Sequence, residues 1–308
     1  MSFTFVFPGQ GSQTAAMMDA YAGLPQIRET FAEASAALDL NLWKLVETGP
    51  ADLLAQTINT QPIMLTAGVA VYRAWLACDG AAPSFFAGHS LGEYSALVAA
   101  QVLTFQDALQ LVRFRALAMQ GSVQEGEGGM AAILGLDEGP VIEVCKEAAQ
   151  GQVLEAVNLN SPGQIVIAGH REAVLRGCDA AKAKGAKRAL LLPVSVPSHC
   201  ALMKPAADSL RAYLADVPMS EPRTPVVQNV DVVAYRETDE IKDALVRQLH
   251  SPVRWIETVR HFASHGVSTV VECGPGRVLS GLTRRIDGGL QSLSLHDAAS
   301  LRATVAQF

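Results

Sequence analysis

Phe85-Phe86-Ala87-Gly88-His89-Ser90-Leu91-Gly92-Glu93 reads as the joint between a short buried strand, ending at Ala87, and a helix over residues 91–100. Ser90 stands between Gly88 and Gly92 in the spacing Gly-x-Ser-x-Gly. That spacing belongs to the nucleophile elbow, a strand-to-helix turn too sharp for flanking side chains, which leaves the serine hydroxyl projecting. The helix that follows aims unpaired backbone N–H groups and its positive dipole end at the same spot, where negative charge can be stabilised. Five letters alone recur by chance in a chain with 25 glycines; the strand before and the helix after give them meaning.

Outward from the elbow, strands and helices alternate. Residues 3–7 read as a first strand, running into Pro8-Gly9-Gln10-Gly11-Ser12-Gln13, whose glycines let backbone approach a neighbour closely. Taken alone, that loop is an ordinary strand-to-helix turn. Helical periodicity covers residues 25–38, then 61–78, the second apolar nearly all round as in a central buried helix, and then 104–122. From Gly128 the texture changes. Strand-like segments at 130–134, 153–159, 164–168 and 188–196 enclose helical ones at 139–150 and 172–184, the order of a ferredoxin-like split unit. The larger pattern resumes at Pro197, with helices at 202–215, 239–249, 253–265 and 278–286 and strands at 225–230 and 268–272. Gly274-Pro275-Gly276 lacks the third glycine of a dinucleotide fingerprint and the Lys-Ser/Thr of a P-loop. Strands alternating with helices give a parallel sheet covered on both faces.

Composition narrows the function. With 308 residues, 49% hydrophobic and 18% charged, the chain can bury a sizeable core. A net charge of -6 and no Lys/Arg run argue against nucleic acid. Five scattered cysteines without Cys-x-x-Cys spacing suggest a reducing compartment and no zinc site. No leader peptide and no stretch of membrane-spanning length is apparent, so a cytoplasmic protein is expected.

Two further residues stand out. In the helix at 104–122, Arg115 falls inside the apolar arc of Phe105, Ala108, Leu111, Val112 and Met119. A guanidinium facing the core is costly unless an anion meets it. Either an internal acid, Glu93 being one candidate, or a substrate carboxylate fulfils that need. Ser90 in turn needs a base, because an unperturbed hydroxyl is a poor nucleophile. Of seven histidines, His89 adjoins the serine but would point away across the turn. His199 follows an apolar segment in Val196-Pro197-Ser198-His199-Cys200, a normal place for a loop-borne catalytic group, yet periodicity does not choose it over His250. No Asp or Glu emerges to orient that base as a hydrolase triad requires.

In its motifs the chain resembles the malonyl-CoA:acyl carrier protein transacylases of bacterial type II fatty acid synthesis. The matching stretches are Phe7-Pro8-Gly9-Gln10-Gly11-Ser12-Gln13, Gly88-His89-Ser90-Leu91-Gly92-Glu93-Tyr94, Arg115 with Ala118-Met119-Gln120, and Gly129-Met130-Ala131-Ala132. They continue with Asn158-Leu159-Asn160-Ser161-Pro162-Gly163-Gln164, Val196-Pro197-Ser198-His199-Cys200, Gln248-Leu249, Pro252-Val253-Arg254-Trp255 and Glu272-Cys273-Gly274-Pro275-Gly276. The likeness runs through essentially the whole chain in order, with Ala116 departing where the family often has glycine. The fold expected is α/β: an α/β-hydrolase-like large domain with a parallel sheet, over residues 1–126 and 197–308, and an inserted ferredoxin-like subdomain over 127–196.

The resemblance implies roles residue by residue. Ser90 is the nucleophile, His199 its general base, and the backbone carbonyl of Gln248 orients the imidazole. The N–H groups of Gln10 and Leu91 form the oxyanion hole, and Arg115 pairs with the free malonyl carboxylate, which selects the substrate reading of its buried charge. The partners implied are malonyl-CoA and an acidic acyl carrier protein; no cofactor and no metal are expected, and a monomer is. Docking of an acidic partner on an acidic enzyme needs a local basic patch, either Lys182, Lys184, Lys187 and Arg188 or Arg277, Arg284 and Arg285. The alternatives are an acyltransferase of polyketide synthesis or malonate decarboxylation, a serine esterase, and a carrier-binding module without chemistry.

Overall fold

The computed structural model describes residues 2–194 and 196–308. Among these residues nine strands form two sheets: β1 (Phe3–Phe7), β2 (Phe85–Gly88), β3 (Gly128–Leu134), β4 (Leu154–Ser161), β5 (Gln164–His170), β6 (Arg188–Leu191), β7 (Val226–Val227), β8 (Thr269–Glu272) and β9 (Gln291–Ser294). The larger sheet has the order β7-β2-β1-β8-β9, and every neighbouring pair is parallel. β1 lies at its centre and is buried along its whole length, as a strand covered on both faces must be. Phe3, Phe5 and Phe7 point to one face and join the main core, where the edge of Trp75 meets the Phe5 ring. Val6 points the other way, into a second core with Trp255 and Phe262. Each fully buried Phe contributes about 2–3 kcal/mol by leaving water. The central helix is Thr57–Ala77, buried through most of its circumference as the sequence predicts but beginning four residues earlier.

The smaller sheet has the order β4-β5-β3-β6 with every pair antiparallel, the arrangement of a ferredoxin-like unit. Its two helices, Glu138–Ala149 and Arg171–Ala183, pack on one face through Val141, Val144, Val174 and Cys178. The opposite face, with Met130, Val157, Val166 and Ala168, rests on Cys200, the residue after His199. One correction concerns the strand expected over 188–196: β6 ends at Leu191, and the apolar residues Leu192, Val194 and Val196 leave the sheet to line a cavity. Ser195, within that expected strand, lies outside the described residues. Two short helices, Leu42–Thr48 and Ala51–Ala55, the edge strand β9 and the helix Ala298–Val305 are additions to the elements expected from the sequence. Among the described residues no helix is long and apolar enough to cross a membrane.

Parallel sheets place loops from several strands at one carboxyl edge, where ligands bind. Here β1, β2 and β7 deliver the Pro8–Gln13 loop, the elbow and Gln228-Asn229 to the same edge. Two glycines set the spacing between these loops. A Cβ on Gly92 would overlap the Phe7 carbonyl, and one on Gly9 would overlap the carbonyl of His89. Backbone cannot yield there without moving a strand, so Gly92→Ala is expected to lower stability by about 2–3 kcal/mol, read as a shift in denaturant midpoint at unchanged slope.

Candidate active site

Ser90 occupies the turn between β2 and the helix Gly92–Ala99 with φ +52°, a left-handed conformation that a non-glycine residue adopts at a cost of roughly 1–2 kcal/mol. Its Oγ lies 2.7 Å from Nε2 of His199. His199 is itself left-handed, φ +68°, and its N–H is bonded to the Leu249 carbonyl, so the loop after the small sheet swings the imidazole back over the elbow. The other ring nitrogen, Nδ1, is 2.7 Å from the Gln248 carbonyl oxygen. A carbonyl only accepts, so Nδ1 carries the proton and Nε2 is left to accept from the serine hydroxyl. Gln248 ends the helix Thr238–Gln248, where carbonyls have no intrahelical partner and the dipole is negative. No carboxylate takes part. The imidazole, 2% exposed, has its pKa lowered to about 3, first by burial and then by the nearby Arg115 cation, with the Gln248 bond opposing both.

Arg115 is 1% exposed. Nη1 donates to Gln61 Oε1 at 2.9 Å, Nη2 donates to Gln248 Oε1 at 3.0 Å and lies 3.4 Å from Ser90 Oγ, and Nε has no partner. Among the described residues no ion pair reaches it. The internal acid that the sequence left open, Glu93, instead accepts the Asn229 N–H at 2.7 Å. Burial pushes the Glu93 carboxyl up to about 8, far above the usual carboxylate range, against the lowering pull of the Asn229 N–H and of Arg115. The guanidinium sits beside the serine as a buried cation met by two amide oxygens and the serine hydroxyl.

A cavity of about 390 Å3 opens over these groups, between the two sheets. Gln10, Leu91 and Ser198 line it from the large sheet, and Met130, Asn158 and Leu192 from the small one. The N–H groups of Gln10 and Leu91 both lack a partner among the described residues, and the Gly9 and Gly92 contacts bring their loops together. Both residues line the cavity, so a group bound there can supply the partner. His89 turns away from the serine: Nε2 is 2.8 Å from Asn160 Oδ1 and the ring packs on Trp255. His250 does not line the cavity.

The sequence did not single out Gln61, the side chain of Gln248 or Asn229. Gln61 carried a legible signal, a fully buried amide at the head of the apolar run that starts at Ile63. It is oriented by its Nε2, which donates to Met119 Sδ at 3.6 Å and leaves Oε1 for the arginine. Of the two basic patches, Lys182 pairs with Asp179, and Lys184 with Glu147 and Glu143. Arg284 and Arg285 are exposed and bonded only to the Ser292 carbonyl and the Gln164 amide. Arg277 sits against His296.

Residues 4–301 match the family model described as the acyl transferase domain. The chain is similar to the malonyl CoA-acyl carrier protein transacylase of Escherichia coli strain K12, 56% identical over 304 residues and 98% of each chain. Among solved structures, an acyl-carrier-protein S-malonyltransferase from Burkholderia pseudomallei is 57% identical with a TM-score of 0.97, over 99% of this chain and 100% of that one. A malonyl-transacylase solved in complex with its type II PKS acyl-carrier protein is 52% identical with a TM-score of 0.99, over 100% of both chains.

A depressed imidazole stays neutral where an ordinary one, near 6.5, is protonated. The rate at which a small uncharged fluorophosphonate modifies Ser90 is expected to stay level from about pH 8 to about pH 5, where an ordinary histidine would have lost more than nine-tenths of its neutral form. Arg115→Ala should move the acid limb to higher pH, since removing the cation eases protonation of His199. A wild-type limb near 6.5 would contradict this account.

Proposed function

The chain belongs to the acyl transferase family, and within it to the malonyl-CoA:acyl carrier protein transacylases; from that premise and the site geometry we propose that it moves a malonyl group from coenzyme A to the phosphopantetheine thiol of acyl carrier protein through an ester on Ser90. One observation supports the assignment of substrate: a buried guanidinium with no carboxylate partner among the described residues stands beside the nucleophile, 3.4 Å from its Oγ, within reach of the carboxylate at the far end of a short acyl ester. A serine esterase has no use for that cation.

In the first half, Ser90 Oγ loses its proton to His199 Nε2 and attacks the thioester carbonyl. The oxyanion is met by the N–H groups of Gln10 and Leu91, and the carboxylate is held by Arg115. The tetrahedral adduct collapses, the C–S bond breaks, and the imidazolium returns its proton to the departing CoA thiolate. In the second half, the carrier's thiol gives its proton to Nε2 and attacks the ester carbonyl. Ser90 leaves, is reprotonated by His199, and the malonyl thioester of the carrier departs. The cavity between the sheets shields the ester from bulk water.

The catalytic part comprises residues 1–126 and 197–308, with 127–196 as the subdomain that closes the cavity. We place carrier docking over Arg277, Arg284 and Arg285, none of which pairs with a side-chain carboxylate among the described residues; in the other patch Lys182 and Lys184 are so paired, while Lys187 and Arg188 are not, which makes that patch the weaker candidate. We take the enzyme as a cytoplasmic monomer that supplies fatty acid elongation. The likeness to a transacylase solved with a type II PKS carrier keeps polyketide assembly as the second use of the same chemistry.

Intact-mass measurement after incubation with malonyl-CoA should show one malonyl group per chain, absent in Ser90→Ala. Arg115→Ala is expected to slow malonyl transfer about 10²–10³-fold, the scale of losing one charge-stabilising donor, while acetyl transfer changes less than about tenfold. Equal losses would remove the anchor role. Reversing charge at Arg284 and Arg285 together should raise the half-saturating carrier concentration about tenfold and leave acylation by malonyl-CoA unchanged; an unaltered carrier dependence would move docking elsewhere.

A further inference from the structure

Asn229 lies just beyond β7, is fully buried and does not line the cavity, yet it makes three bonds around the nucleophile. Its Oδ1 accepts the Ser90 N–H at 2.7 Å, its Nδ2 donates to the Gly88 carbonyl at 2.6 Å, and its own N–H donates to Glu93 Oε2 at 2.7 Å. One side-chain amide thus spans the residues on either side of His89, which fixes how sharply the chain turns. From the opposite side, Gln248 Nε2 donates to the Ser90 carbonyl at 3.1 Å, so both peptide groups of the serine are held.

Three facts give this arrangement a purpose. The serine's left-handed φ of +52° persists only if its surroundings over-determine it. The Ser90 N–H is satisfied by Asn229, whereas the N–H groups of Gln10 and Leu91 have no partner among the described residues. The asparagine is itself fixed: Glu93 accepts its N–H and its carbonyl accepts the Arg254 N–H at 3.2 Å.

We propose that Asn229 is a positioning residue for acyl transfer, a clamp that holds the Gly88–Ser90 turn in the conformation aiming Oγ at His199 and reserves only Gln10 and Leu91 for the oxyanion. The proposal rests on the reading of Ser90 as nucleophile given above. It concerns the turn and not the acyl group, since nothing in the clamp touches the cavity. Releasing it therefore lowers the rate of every reaction at Oγ while the grip on malonyl-CoA stays the same.

Single-turnover acylation by malonyl-CoA and modification by an uncharged fluorophosphonate are measured for Asn229→Ala and Asn229→Asp, with rates expressed per active site from the titration endpoint so that unfolded molecules do not count. Asn229→Ala, which loses both side-chain bonds, is expected to slow both reactions about a hundredfold and to leave the half-saturating malonyl-CoA concentration within threefold. Asn229→Asp keeps an oxygen for the Ser90 N–H without a donor for the Gly88 carbonyl, and its loss should be at least tenfold; it decides the matter if the alanine variant does not fold. A purely structural asparagine would lower melting temperature and the number of titratable sites but not the rate per site. A per-site rate within threefold of wild type, or a half-saturation that rises as much as the maximal rate falls, overturns the proposal. If malonyl-CoA fails to acylate even the wild type, the substrate reading fails while the fluorophosphonate comparison still tests the clamp.

Discussion

A cation buried without an anion is the constraint on which the rest of this structure depends. Taking Arg115 out of water costs several kcal/mol unless its donors are met. The protein meets them with neutral oxygens: Gln61 on the central helix and Gln248 at the end of another. Neutral partners leave the charge uncompensated, so the site keeps a positive potential in a region of low dielectric where it acts strongly. The identity of the surrounding groups follows from this. An ionised Glu93 would weaken the field, and burial opposes that ionisation by pushing the carboxyl up to about 8. A carboxylate behind His199 would do the same, and a helix-terminal carbonyl stands there instead.

The scaffold makes this arrangement possible by bringing distant segments to one edge of a parallel sheet. The Pro8–Gln13 loop, the elbow and Asn229 come from β1, β2 and β7, which pair side by side in register. Glycine at positions 9 and 92 lets their backbones touch. The small antiparallel sheet contributes little to the chemistry directly. Its inner face packs beside Cys200 and so holds the segment carrying His199, and its outermost strand gives way to the apolar residues that wall the cavity.

Much of this was legible in the residues, and what was not has identifiable causes. The first strand and the helices at 25–38 and 278–286 were readable to the residue, because hydrophobic period and bounding turns agree there. The order of elements in the small sheet was readable as well. β9 was not: Gln-Ser-Leu-Ser at a sheet edge has no apolar pattern to announce it. The segment 188–196 was read as one long strand because its apolar residues look alike whether they face a sheet or a cavity. At the site, Arg115 announced itself by breaking an apolar arc. Gln248 could not, since it is its backbone oxygen that orients the imidazole and any residue has one. Asn229 was hidden for a related reason, as its partners lie 139 and 141 positions away on backbone atoms that leave no trace in composition.

The proximity of Arg115 to His199 also ties selectivity to reactivity in the proposed reaction. Unoccupied, the guanidinium suppresses the basicity of the imidazole. A malonyl ester that sets its carboxylate against the guanidinium offsets that part of the suppression, although burial, the larger cause, stays in place. An acetyl ester on the same serine offers no such offset. The acyl group thus adjusts the strength of the base that will release it, in the direction that favours the charged cargo.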